Sequence, residues 1–197
     1  MLVYSPGMAI LAHWLLTLAL FFGGAAIPPF AELARNYPNG SDASIKREIG
    51  GRVDAAWLDH TCAIRLSRAL NYSGVVVPRD FPGMKVVRGA DQKYYAYQVR
   101  GVRPWLEATF GRPQIRALRP VDRRRFLGKK GVIAFVIPFS DASGHVDLWD
   151  GAKYTYEQGG QRDPRDYFTL ANEVVLWVSG AALQSCAGRP RPAPRLQ

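Results

Sequence analysis

The sequence predicts an α+β domain. Three observations carry that prediction. Helix-period apolar residues occupy the first half of the chain, around residues 62–70, and strand-like runs occupy the second half, at 131–138, 145–149 and 173–178. Helices that precede strands joined by short connections argue for helices packed on an antiparallel sheet. Finally, 48% of the 197 residues are hydrophobic and 21% charged, a globular composition at a length that buries a core without disulfides or a structural metal.

Residues 1–29 stand apart. Ile10 to Phe22 is almost wholly apolar, interrupted by His13 and Thr17, and ends in Gly23-Gly24-Ala25-Ala26 before Ile27-Pro28-Pro29. A short apolar run followed by small residues is the pattern of a secretory signal, with cleavage after Ala26. The run is shorter than the ~20 apolar residues of a spanning helix. No Lys or Arg precedes it, so the positive start of a signal peptide is missing. A membrane anchor and a misassigned start codon are the alternatives.

The domain is read as residues 30–182. Asn36-Tyr37-Pro38-Asn39-Gly40-Ser41 is turn chemistry. Cys62 to Leu70 is read as a helix: Asp59 and Thr61 offer capping side chains, Ala63, Leu66 and Leu70 repeat at helical spacing, and Gly74 ends the element. Tyr94 to Val99 alternates like a strand. Pro104 to Phe110 reads as a short helix with Pro in its first turn and Gly111 after its end. The continuous apolar run Gly131 to Pro138 is a buried strand. His145 to Trp149 and Glu173 to Val178 complete an antiparallel meander, with residues 140–144 as a hairpin loop. Residues 183–197 form a Pro- and Arg-rich tail of disordered composition.

The net charge is +10, and basic residues concentrate between Arg112 and Lys130. A basic protein is drawn to polyanions, whether nucleic acid, membrane or cell-wall polymer. The stretch is read as a solvated basic face. A nucleic-acid-binding module is one rival reading, but no DNA-reading helix and no metal-finger spacing accompanies the charge. Two cysteines, Cys62 and Cys186, are too few for a disulfide framework or a four-cysteine zinc site, and Cys186 falls in the tail. Cys62 is then the thiol of the folded body. It sits where its helix begins, and free N–H groups and the helix dipole favour a thiolate there. Of the three histidines, His13 lies in the leader and His60 on the non-helical approach to Cys62. His145 opens a strand, from which an imidazole can face a helix-borne thiol as its base.

The wording around these two residues resembles a known family. Thr61-Cys62-Ala63-Ile64-Arg65-Leu66-Ser67-Arg68-Ala69-Leu70-Asn71 is similar to the nucleophile helix of the type VI secretion amidase effectors of the fourth family, within the NlpC/P60-like cysteine peptidases. Gly128 to Phe135 resembles the strand that follows, Ser140 to Gly151 the histidine strand, and Tyr97 to Phe110 the middle segment. The resemblance spans Phe30 to Val178. It implies a papain-like NlpC/P60-type fold, with a nucleophile at a helix N-terminus packed on an antiparallel sheet. It implies hydrolysis of the D-glutamyl–diaminopimelate bond of peptidoglycan stem peptides by Cys62 as nucleophile and His145 as base, without a cofactor. A secreted or periplasm-acting protein follows, either a secreted lysin or an antibacterial toxin, reaching membrane only through an uncleaved leader. For an effector, an immunity protein that plugs the cleft is the implied partner.

In the family an aspartate about a dozen residues after the histidine orients it, in a loop that also carries two cysteines. Neither is present around Tyr154-Thr155-Tyr156-Glu157. The replacement must accept from the far imidazole nitrogen. Asp163 is favoured, with Glu157, Asp166 and Asp147 as alternatives. The altered loop also keeps open a relative that binds cell wall without cutting it. Trp149 and Tyr154 are read as core aromatics, and Arg65 and Arg68 as a solvated helix face.

Overall fold

A computed structural model describes residues 25–139, 143–154 and 166–180. The leader, the tail with Cys186, and the loop holding Glu157 and Asp163 lie outside the described residues. Three helices come first: α1 (Phe30–Asn36), α2 (Asp42–Ile49) and α3 (Cys62–Tyr72). A small hairpin, β1 (Val86–Arg88) and β2 (Tyr94–Ala96), leads into α4 (Val99–Phe110). The main sheet holds β3 (Ile115–Leu118), β4 (Gly131–Val136), β5 (His145–Trp149) and β6 (Glu173–Val178), with a one-turn helix, α5 (Tyr167–Leu170), before β6. Among the described residues no helix is long and apolar enough to cross a membrane.

The sheet is antiparallel in the order β3-β6-β4-β5, so the expected meander is corrected. After the β4–β5 hairpin the chain returns to the other side of β4 and inserts β6 there. Burial explains the order. β4 and β6 are buried along almost their whole length, so both belong inside the sheet. β3 alternates buried and exposed residues, as an edge strand does.

One face of the sheet, with Val132, Ala134, Val146 and Leu148, packs on Leu66 and Leu70 of α3 and Leu106 of α4. The other face, with Phe135, Trp149 and Leu176, is covered by Phe126, Tyr167 and Phe168. Covered on both faces, β5 is buried throughout although it lies at an edge.

Three sequence readings change here. The strand from Tyr94 stops at Ala96, and Val99 already opens a helix. Pro104 lies inside α4 rather than in its first turn, because Val99, Val102, Trp105, Leu106 and Phe110 form one apolar stripe that starts earlier. The basic stretch is only partly a solvated face: Arg116 Nε lies 2.5 Å from Glu173 Oε1, and the Arg123 guanidinium sits 5.2 Å over the Trp149 ring.

Candidate active site

The start of α3 is fastened from outside the helix. Thr61 occupies the N-cap, but its hydroxyl does not cap the first turn. It donates to Asp42 Oδ1 at 2.5 Å and accepts from Arg65 Nε at 2.9 Å. Arg65, expected on a solvated face, is instead 2% exposed. Its guanidinium donates to Pro38 O at 3.0 Å, Gly40 O at 2.8 Å and Asp42 Oδ1 at 2.8 Å. A planar fork satisfies several oxygens at once, which an ammonium on one stem does less well. The web ties the first turn of α3 to the loop between α1 and α2. Arg68 remains half-buried, with its guanidinium 3.4 Å over the Tyr72 ring.

Cys62, a half-buried free cysteine, is the first residue of α3. No side chain caps that turn, so its backbone donors remain for an incoming anion.

His145 is the first residue of β5, paired in register with Phe135 of β4. Gly144 precedes it with φ +141°, and a Cβ there would meet Phe135 O at 2.0 Å. Only glycine lets the hairpin enter β5 this closely. His145 is 8% exposed, and its ring stacks on Tyr167 with centroids 4.3 Å apart.

His145 Nε2 lies 3.5 Å from Oδ2 of Asp147, two residues along the same strand face. Asp147 is fully buried, and its Oδ1 accepts from the Leu148 backbone at 2.7 Å. Burial pushes the His145 imidazole down. The nearby Asp147 carboxylate and the Cys62 thiol outweigh burial and raise it to about 9. His145 Nε2 is thus turned towards Asp147, and Cys62 is near enough to act on the imidazole.

Tyr37, read from the sequence as part of a turn, contributes a hydroxyl to the same cluster. Burial, then the charge of the nearby Asp147, holds that hydroxyl well above its usual value. No sequence signal marks Tyr37 as a site residue, because only tertiary packing brings the end of α1 to β5.

The other candidates are placed elsewhere. Asp166 caps α5, accepting from Phe168 N at 3.1 Å and Thr169 Oγ1 at 2.5 Å. Trp149 and Tyr154 are core residues, the former donating from Nε1 to Phe126 O at 2.9 Å. His60 is exposed. Asp163 and Glu157 fall outside the described residues. Among the described residues no group of His, Cys, Asp and Glu converges to hold a metal. Beside the hairpin, a cavity of ≈ 460 Å³ is lined by Val99, Arg100, Arg103, Ala134, Phe135 and Ser143; neither Cys62 nor His145 lines it.

The family description Tae4, type VI secretion system (T6SS) amidase effector protein 4, matches residues 58–177. This chain belongs to that family. Solved structures agree. The Salmonella typhimurium effector Tae4, crystallised with the immunity protein Tai4 of Enterobacter cloacae, is 31% identical with a TM-score of 0.67, covering 77% of this chain and 99% of that one. Tae4 of Enterobacter cloacae in its effector–immunity complex with Tai4 is 26% identical with a TM-score of 0.68, covering 77% and 98%. Tae4 of Enterobacter cloacae alone is 25% identical with a TM-score of 0.69, covering 80% and 99%. No curated protein sequence matches the chain. The papain-like NlpC/P60-type fold expected from the sequence is the fold of the family.

Proposed function

We propose that this amidase effector hydrolyses the D-glutamyl–diaminopimelate bond of peptidoglycan stem peptides with Cys62 as nucleophile and His145 as acid–base. The observation that supports it is a half-buried thiol at the uncapped start of α3, near a buried imidazole whose Nε2 lies 3.5 Å from a buried carboxylate.

The chemistry follows from the geometry. The Cys62 thiolate adds to the peptide carbonyl carbon. Backbone N–H groups at the start of α3 receive the developing oxyanion. With Nε2 turned towards Asp147, Nδ1 is the imidazole nitrogen available to the thiol and the leaving amine. His145 delivers its proton to the amine as the C–N bond breaks, leaving an acyl-thioester and a neutral imidazole. That imidazole then takes a proton from water as the water attacks the thioester, and the acid leaves with Cys62 regenerated. Burial against Tyr167 limits the positions the ring can take and keeps the proton path short.

The exposed Arg100 at the neighbouring cavity provides a cation for the stem-peptide carboxylates. The reading places the enzyme at the cell wall, in the periplasm of a target bacterium. Its partner there is an immunity protein, as in the relatives' complexes of Tae4 with Tai4. The test is mass analysis of purified stem peptides incubated with residues 27–197. Wild type should cleave after D-glutamate, and Cys62→Ala and His145→Ala should each lose that cleavage while keeping the fold. Turnover by either variant at the wild-type rate refutes the assignment.

A further inference from the structure

Three buried polar atoms of the described fold belong to one cluster around Asp147. His145 Nε2, Asp147 Oδ2 and the Tyr37 hydroxyl each lack a hydrogen bond of standard geometry, and each is buried. Orphaned polar atoms are rare in protein interiors because each forfeits its hydration. A fully buried carboxylate has the most to lose, and Asp147 has only its bond from the Leu148 backbone to Oδ1. Nε2 and Oδ2 are 3.5 Å apart, and the Tyr37 hydroxyl interacts with the same carboxylate. A charge-assisted N–H···O bond closes at about 2.7–2.9 Å, so a shift of less than ~1 Å completes the bond between His145 and Asp147. Catalytic hydrogen bonds often tighten in this way only when substrate is bound.

Resting on the Cys62–His145 reading above, we propose that Asp147 is the group that orients His145, and that Tyr37 holds the Asp147 carboxylate in place by donating to its Oδ2. Both are positioning residues, since neither reaches the reacting carbonyl. Asp147 suits the part for three reasons. It shares the strand face of His145 at a separation of two residues, so the backbone of β5 sets their spacing without a loop. Its Oδ1 is fixed by the Leu148 N–H, which leaves Oδ2 directed at the imidazole. Its burial strengthens the interaction by excluding water. Tyr37 suits its part because its hydroxyl, held well above the usual value, remains a proton donor across any working pH. The Arg65 web secures the loop that follows Tyr37 through Pro38 O and Gly40 O, so the brace and the nucleophile helix share one anchor. On this inference the pair does from within the fold what the family's loop aspartate does from outside it.

The test uses Asp147→Asn, Tyr37→Phe and the double variant in the full chain. Each is measured for turnover of stem peptides and for the NMR titration of His145, one of only three histidines in the full sequence. Asp147→Asn keeps the shape and the Leu148 bond but removes the charge. It should lower kcat on the order of 100-fold and bring the His145 midpoint down from about 9 by about one unit or more. Tyr37→Phe should lower kcat roughly 10-fold with KM unchanged. Because Tyr37 acts through Asp147, the double variant should be no slower than Asp147→Asn alone. An unmoved His145 midpoint in Asp147→Asn overturns the proposal, as do fully additive losses in the double variant. A loss confined to Asp163→Asn, with Asp147→Asn near wild type, also overturns it. Failure of the wild type to turn over any stem peptide would count against the hydrolytic reading. The histidine titration would still decide the Asp147 pairing.

Discussion

Replacing Arg65 with methionine tests whether the start of α3 is held by a buried guanidinium. Methionine keeps a long unbranched stem, so the packing of the methylenes is largely retained. What disappears is the fork: bonds to Pro38 O, Gly40 O and Thr61 Oγ1, and the ion pair with Asp42. Removing one partner of a buried ion pair generally costs about 3–5 kcal/mol. Here Asp42 is 42% exposed and can regain water, while Thr61 is 2% exposed and cannot. The expected loss is therefore roughly 2–4 kcal/mol, a large part of the ~5–15 kcal/mol that holds a typical domain. In urea unfolding this moves the midpoint by about 1–2 M at an ordinary slope. Arg68→Met, one turn further along the same helix, removes only the guanidinium stacked on Tyr72 and should shift stability by less than ~1 kcal/mol. Turnover should also fall in Arg65→Met, since the web positions Cys62 and the loop bearing Tyr37. Equal urea midpoints for Arg65→Met and Arg68→Met would refute the reasoning.

Stability should depend on pH through His145. Its folded value of about 9 exceeds the unfolded 6.5, so its contribution is complete below about pH 6.5 and is lost as pH rises through about 9. The full difference is on the order of 3 kcal/mol, and urea midpoints at about pH 6 and pH 9.5 should show it in wild type but not in His145→Ala. Gly144→Ala should destabilise by at least about 2 kcal/mol and abolish turnover, because its Cβ would strike the Phe135 carbonyl at the entrance to β5. Thermal melts alongside activity would reveal a tolerant hairpin if the substitution were silent. Arg100→Ala should raise KM for stem peptides several-fold and leave kcat within about two-fold, as expected of a group that binds substrate and transition state alike. An unchanged KM would remove Arg100 from the substrate site.

The local chemistry of this chain is written in its sequence. Ala63, Leu66 and Leu70 at helical spacing place Cys62 at the opening of a helix, and the Gly144-His145 step places the imidazole at the opening of a strand. These signals depend on neighbours a few residues apart, which is the range over which periodicity and turn chemistry act. The order of the strands was not legible, because an apolar run shows that a strand is buried but not which strand lies beside it. Arg65 reads as a surface residue in any window of sequence. Its burial depends on carbonyls at Pro38 and Gly40 that reach it only when α1 and α2 fold against α3. The same holds for the cluster around Asp147. Its place on the strand face of His145 follows from a two-residue period. The hydroxyl of Tyr37 arrives from the far end of the described chain, and only the packing of α1 on α3 and of α3 on β5 brings the two together.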